Sequence, residues 1–166
     1  ISVMPPNLYG PNDNFSKNNG HVIPGLIRKF HEAKIFNESK VKCWGSGKPR
    51  REFMYVEDLV KCCIYLLENC DPKEFNSLPR DLSFINIGTG EDITILDLAN
   101  LIKEIVGYQG KIIWDTSMPD GSNQKILNVD RLKRIGWTYS TQLEDGLKKT
   151  YQAFLKEYNS NSMRDL

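Results

Sequence analysis

The feature that most constrains the fold is a hydrophobic period that keeps switching. Short apolar runs of strand length alternate with longer segments whose apolar residues recur every three or four positions. "ISVM" at the start and "FINIG" at 84–88 are continuous enough to be buried strands. Between them, 21–34 places Ile23, Leu26, Ile27, Phe30 and Ala33 on one helical face, with Pro24 in the first turn. "KVKCWGSG" predicts a strand entering a glycine turn, and "REFMYV" a second short strand. Glu57 and Asp58 then open a helix carrying the rows Leu59, Cys63, Leu66 and Val60, Ile64, Leu67, which fades at Asn69. Residues 70–82 are polar and read as a loop. Thr94 and Asp97 predict a capped helix start, "KIIWDT" a strand, 130–135 a short helix, and Thr141 with Glu144 a second capping box before a helix reaching Tyr158. Alternating strands and helices without an internal repeat define an α/β chain.

Composition narrows the function classes. The chain has 166 residues, 26% of them charged, and a formal net charge of +1. That length suits one domain, or one domain plus a piece of another. Balanced charge gives no electrostatic reason to expect nucleic acid or a membrane surface as partner. No apolar run approaches the roughly 18 residues of a membrane span. Cys43, Cys62, Cys63 and Cys70 form no C-x-x-C pair and have no histidine spaced to complete a zinc site, so metal is not expected. They read as free thiols, which fit a reducing cytoplasm. An apolar strand at the very start, without an initiator Met, leads us to expect an upstream portion.

Several stretches invite a nucleotide reading. "GSGKP" at 45–49 is no Walker A loop, because Lys42 and Pro49 stand where Gly and Ser or Thr are needed. "NIGTGED" at 86–92 lies between strand and helix but lacks the third glycine of a dinucleotide fingerprint, so it reads as a structural turn. In "WGSGKPRREF", Arg50 and Arg51 must alternate faces if they enter a strand, leaving one guanidinium for any given side. A guanidinium fork suits a diphosphate, and Trp44 could stack on a flat ring; the alternative is a solvated basic turn beside a core tryptophan. Asp120 lies in a Pro-Asp-Gly turn with Lys125 close behind. Such an aspartate serves turn geometry, or accepts hydrogens from sugar hydroxyls. His21 opens the first long helix, where an imidazole can exchange a proton near neutral pH; the alternative is an inert helix-end residue. Gly25 and Arg28 share its face, and Lys29 follows about 12 Å further along.

In order, "PPNLYGPNDNF", "GHVIPGLIRKFHEA", "VKCWGSGKPRREFMYVEDL", "INIGTGEDITILDLANLI" and "DTSMPDGSNQKILNVDRLKRIGW" resemble the C-terminal half of the GDP-L-fucose synthase family. These enzymes are extended short-chain dehydrogenase/reductases of the NAD-dependent epimerase/dehydratase group. The resemblance implies a late strand of a Rossmann sheet with its strand-end loop over 1–12, a mixed α/β substrate-binding domain over 13–158 and a polar tail over 159–166. It implies a homodimer using NADP(H) for 3,5-epimerisation and 4-reduction of GDP-4-keto-6-deoxy-D-mannose. By the same resemblance, Pro5, Pro6, Asn7 and Leu8 lie along the nicotinamide half of the cofactor, and His21 is the acid/base near nicotinamide and sugar. Lys29, Trp44, Arg51, Asp120 and Lys125 would bind the GDP-sugar, with Gln124 replacing a residue that is often basic. The family's catalytic Ser, Tyr, Lys and Cys lie upstream. No Tyr-x-x-x-Lys and no glycine-rich cofactor loop occurs in these 166 residues, so the chain alone is expected to be inactive. Two alternatives stay open: another nucleotide-sugar epimerase or dehydratase of the same group, and a non-catalytic sugar-nucleotide-binding module.

Overall fold

A computed structural model describes residues 2–16, 20–70 and 84–160. The elements run β1 (Ser2–Met4), β2 (Asn7–Tyr9), α1 (Val22–Ile35), β3 (Lys40–Trp44), β4 (Arg50–Arg51), β5 (Phe53–Tyr55), α2 (Val56–Asn69) and β6 (Phe84–Asn86). They continue with β7 (Ile93–Thr94), α3 (Ile95–Val106), β8 (Lys111–Asp115), β9 (Gln124–Lys125), α4 (Asp130–Arg134) and α5 (Leu143–Asn159). The predicted 70–82 loop and the polar tail beyond Ser160 fall almost wholly outside the described residues.

Among the described residues, four small sheets organise these strands. β1 pairs with β6, β2 with β5 and β3 with β8, all in parallel, while β4 lies between antiparallel β7 and parallel β9. Parallel neighbours need crossovers, and the helices supply them. β5 is the wall between two cores. Its alternating side chains send Phe53 and Tyr55 into a cluster with α1, α3 and α5, and Met54 into a cluster with Cys62, Leu66, Ile85, Leu132 and Trp137. The first cluster contains every residue of the predicted α1 stripe: Ile23, Leu26, Ile27, Phe30 and Ala33. All four thiols are free, with Cys43, Cys62 and Cys70 buried.

Thr94 caps α3 as expected, its hydroxyl accepting the Asp97 N–H at 3.0 Å. The second capping box does not form. Helix α5 begins at Leu143, with Gln142 as a cap that makes no side-chain bond. The cause lies on α2, where buried Asp58 accepts the Thr141 N–H at 2.8 Å and the Ser140 hydroxyl at 2.8 Å. That carboxylate sets the approach to the helix in place of Thr141.

Three further expectations change. Ser2 and Met4 of the first strand are exposed, because β1 is paired only along the β6 edge among the described residues. The run 51–56 splits at Glu52, which leaves the strand to hydrogen-bond elsewhere. On α2 one stripe packs inward through Cys62 and Leu66, but Val60, Ile64 and Leu67 are exposed at 53%, 50% and 81%.

Two buried titratable groups make stability pH-dependent. Burial would raise the Asp58 carboxyl, but hydrogen bonds from Ser140, Thr141 and Lys61 outweigh it and hold the group below the ordinary value of 3.8. His31, on the buried side of α1, lies 3.0 Å from the Tyr151 hydroxyl through Nδ1 and edge-on to Phe154 and Tyr158. Burial among these rings lowers its pKa from 6.5, helped by nearby Lys34. Folding therefore favours neutral His31 and ionised Asp58. Acid should weaken the fold in two windows: from 6.5 downward as the unfolded histidine takes up a proton, and again as pH falls from 3.8 through the folded value of Asp58. Urea unfolding followed against pH should lose the upper step in His31→Gln and the lower step in Asp58→Asn. Identical profiles in all three proteins would contradict this assignment.

Candidate functional site

The site is built around a carboxylate that faces inward. Glu52 is 1% exposed. Its Oε1 accepts the backbone N–H groups of Thr89 at 2.7 Å and Gly90 at 2.9 Å, and its Oε2 accepts the Leu127 N–H at 2.7 Å. Its backbone N–H donates to the Lys125 carbonyl at 3.2 Å, and its carbonyl accepts the Asn7 side-chain amide at 2.8 Å. Consecutive N–H groups converging on one oxygen form a small anion-binding concavity. The "NIGTGED" turn thus does cradle an anion, but the anion belongs to the chain itself. A Cβ at Gly88 would fall against Glu52 Oε1, which explains that glycine. Glu52 was absent from the sequence-based site; its signal was an acid standing between Arg51 and the apolar run Phe53–Tyr55.

On either side of this staple, the arginines diverge as strand alternation predicts. Arg50 points to Asp92, donating from Nε to the carboxylate at 2.7 Å and from Nη2 to the Asp92 carbonyl at 3.1 Å. Gln124, opposite Arg50 in the strand register, donates to the other Asp92 oxygen. Those bonds, Arg50 first, hold the Asp92 carboxyl below the usual range. Arg51 turns the other way. Its Nη1 donates to the carbonyls of Arg50 and Ser122, both at 2.8 Å, and Lys125 is its register partner. One side of β4 and β9 is therefore neutralised by Asp92, whereas the other sets two cations next to each other. Like charges across neighbouring strands cost stability, and an anion laid over them would relieve that cost.

Trp44 ends β3 and is 67% exposed. The ammonium of Lys29 stands 5.6 Å from the ring centroid, so α1 and β3 bring these two predicted residues together. Beyond Trp44 the turn is fixed by Asp120, whose carboxylate accepts the Ser46 N–H at 2.6 Å and the Ser46 hydroxyl at 2.7 Å. The same loop is fastened to β4 by the Asn123 carbonyl, which accepts the Arg50 N–H at 2.8 Å. Asp120 thus spends its oxygens on a loop-to-loop latch, and the bonds from Ser46 keep its pKa low. Trp44, Arg51, Asp120 and Lys125 are linked through these two loops and the short sheet, with Lys29 on the indole. A groove of about 670 Å³ opens beside Lys29, lined by Ala33, Phe36, Lys40, Lys42 and Ile113 among others.

His21 is the N-cap of α1 and is exposed, with no side-chain capping bond. Asp13, in the preceding segment, interacts electrostatically with it; burial raises that carboxyl, and the Asn14 N–H and His21 offset part of the rise. Arg28 anchors the segment by donating to the Phe15 carbonyl at 2.8 Å, while Glu32 holds its Nε at 2.9 Å. A Cβ at Gly25 would meet only the Gly20 carbonyl, at 3.8 Å, so the helix backbone there is open to approach. Pro5 and Asn7 are exposed, Pro6 and Leu8 half-buried. This strip offers a flat ring an apolar and carbonyl-bearing surface, and β2 joins it to β5 beside Glu52. Prolines have no N–H, so Pro5 and Pro6 offer no backbone donor to an anion. Among the described residues, no group of His, Cys, Asp and Glu gathers to hold a metal ion, and no helix is long and apolar enough to cross a membrane.

Comparison with known proteins gives this arrangement its context. Residues 1–78 match the NAD dependent epimerase/dehydratase family. The chain is 46% identical to GDP-L-fucose synthase 1 of Arabidopsis thaliana across 94% of its own length and 46% of the relative's. It is 48% identical to the GDP-L-fucose synthase of Escherichia coli K12, covering 93% of itself and 48% of that protein. Its fold superposes on the NADP-bound GDP-L-fucose synthetase of Naegleria fowleri with a TM-score of 0.84 and 32% identity, covering 96% of this chain and 48% of the other. Fold and sequence are thus similar to those of extended short-chain dehydrogenase/reductases of the epimerase/dehydratase type. Within that class the chain is similar to GDP-L-fucose synthases, and it spans about half the length of the curated relatives it matches.

The latch yields a direct expectation. Asp120→Ala should accelerate hydrogen exchange of the Ser46 amide by about tenfold or more, since that N–H loses its charged acceptor. Unchanged Ser46 exchange would show that the loops are held together by other contacts.

Proposed function

We propose that this chain is the GDP-sugar-binding half of a GDP-L-fucose synthase, a longer NADPH-dependent enzyme that inverts C3 and C5 of GDP-4-keto-6-deoxy-D-mannose and reduces C4. The observation that carries this reading is the open cationic and aromatic strip, with Lys29 over Trp44 and Arg51 beside Lys125, in a chain so similar to those enzymes. Arg51 and Lys125 take the diphosphate, Arg51 exchanging its carbonyl acceptors for phosphate oxygens as its planar fork allows. Trp44 offers its face to a ring of the ligand. Lys29 adds charge without a bidentate fork. Asp120 closes the loop that carries these groups and, once freed from Ser46, can accept a sugar hydroxyl.

The chemistry accounts for His21. A ketone at C4 acidifies the hydrogens at C3 and C5, so each centre can be inverted through an enolate, losing a proton on one face and gaining one on the other. An exposed imidazole at the start of α1, next to an open backbone at Gly25, is placed to give that proton. Pro5, Pro6, Asn7 and Leu8 supply the surface for the nicotinamide end of NADP(H), which when bound provides the hydride for C4. The phosphates of that cofactor and the family's Ser, Tyr and Lys belong to the other half of the longer protein. That protein would work in the cytoplasm, which suits its free thiols, and as a homodimer, which the resemblance implies.

Calorimetric titration of this chain should give tighter binding of GDP than of UDP, with Arg51→Ala weakening GDP by at least about tenfold. Equal affinity for UDP would favour another nucleotide-sugar epimerase or dehydratase. In the longer enzyme, His21→Gln should slow epimerisation, read as solvent deuterium entering C3 and C5, far more than it weakens GDP-sugar binding. Equal loss of both would make His21 a structural residue.

A further inference from the structure

The Glu52 carboxylate makes no bond to the side chains assigned to substrate, yet the bonds of this residue reach the segments that carry them. It adjoins Arg51 in sequence, its N–H is tied to Lys125, its carbonyl to Asn7, and its carboxylate to the turns at 89–90 and 127. We propose that Glu52 is a positioning residue for nucleotide-sugar binding: its buried carboxylate holds the turns at 89–90 and 127 against β4, and so sets the spacing of Arg51 and Lys125. The inference rests on the reading of Arg51 and Lys125 as a diphosphate grip.

Geometry supports a positioning role over generic packing. The three backbone donors come from two loops that make no strand pairing at those residues, so the carboxylate is what joins them to β4. An amide cannot replace it. In Glu52→Gln one terminal atom becomes a donor, and either Leu127 or the 89–90 pair then faces donor against donor. β4 is only two residues long and is otherwise held by its backbone bonds to β7 and β9, so losing either anchor loosens Arg51 against Lys125. Gly88→Ala perturbs the same oxygen from the other side, since the new methyl would occupy the place of Oε1, and it alters no ligand-binding side chain.

The experiment is a double-mutant cycle on this chain, with GDP affinity measured by calorimetry for wild type, Glu52→Gln, Arg51→Ala and the double variant. Glu52→Gln should weaken GDP roughly ten- to hundredfold in the wild-type background and hardly at all once Arg51 is gone. Hydrogen exchange should quicken at Thr89, Gly90 and Leu127 and spread to Arg51 and Lys125. Should Glu52→Gln fail to fold, Gly88→Ala takes its place in the cycle with the same expectation. Additive losses, or exchange changes that stop short of Arg51 and Lys125, would overturn the positioning role while leaving the GDP reading intact. Absence of GDP affinity in the wild-type chain would instead overturn the reading of the site.

Discussion

Everything at this site is hung on one buried charge. Moving a carboxylate out of water without compensation costs several kcal/mol or more, by order of magnitude. Glu52 avoids that cost because backbone N–H groups from separate loops converge on both of its oxygens. The requirement runs in both directions. The carboxylate needs those donors, and the turns at 88–90 and 127 need an acceptor to remain where they are. Because Glu52 interrupts the strand between Arg50–Arg51 and Phe53–Tyr55, satisfying it links the apolar wall of β5 to the polar rim of β4. The core thereby dictates where the rim lies.

The rim then sorts its charges. Arg50 and Gln124 share Asp92 on one side, which leaves Arg51 and Lys125 together on the other. That division turns a basic sequence run into one neutral face and one cationic face. On the cationic side, Trp44 and Lys29 extend the surface, and Asp120 ties the two loops that border it. An exposed indole beside several cations is poor economy for a fold alone. It makes sense where a ligand with flat rings and negative charge covers it.

Much of this was legible in the sequence wherever a local rule acts within a few residues. The α1 stripe reached the core intact, Thr94 caps α3 through Asp97, and the two arginines diverge as alternation requires. Long-range bonds were not legible. Thr141 and Glu144 have the pattern of a capping box, but Asp58, more than eighty positions earlier, claims the backbone there. Likewise Asp120 has the pattern of a free turn aspartate, and Ser46 occupies it. Two-residue strands such as β7 and β9 have no period to detect. On α2, two apolar rows looked alike in sequence, and only the tertiary fold distinguishes the row that packs from Val60, Ile64 and Leu67. The site residues themselves rest on resemblance; their types and spacing alone favour a solvated basic turn.

On the function proposed here, Trp44, Arg51 and Lys125 meet one nucleotide-sugar diphosphate. A GDP titration followed by proton–nitrogen NMR on this chain tests it most directly. The indole N–H of Trp44, the Nε–H of Arg51 and the Lys125 amide should shift together with a single saturation curve. Shifts confined to the groove around Phe36 and Lys40, with those three signals unmoved, would contradict it.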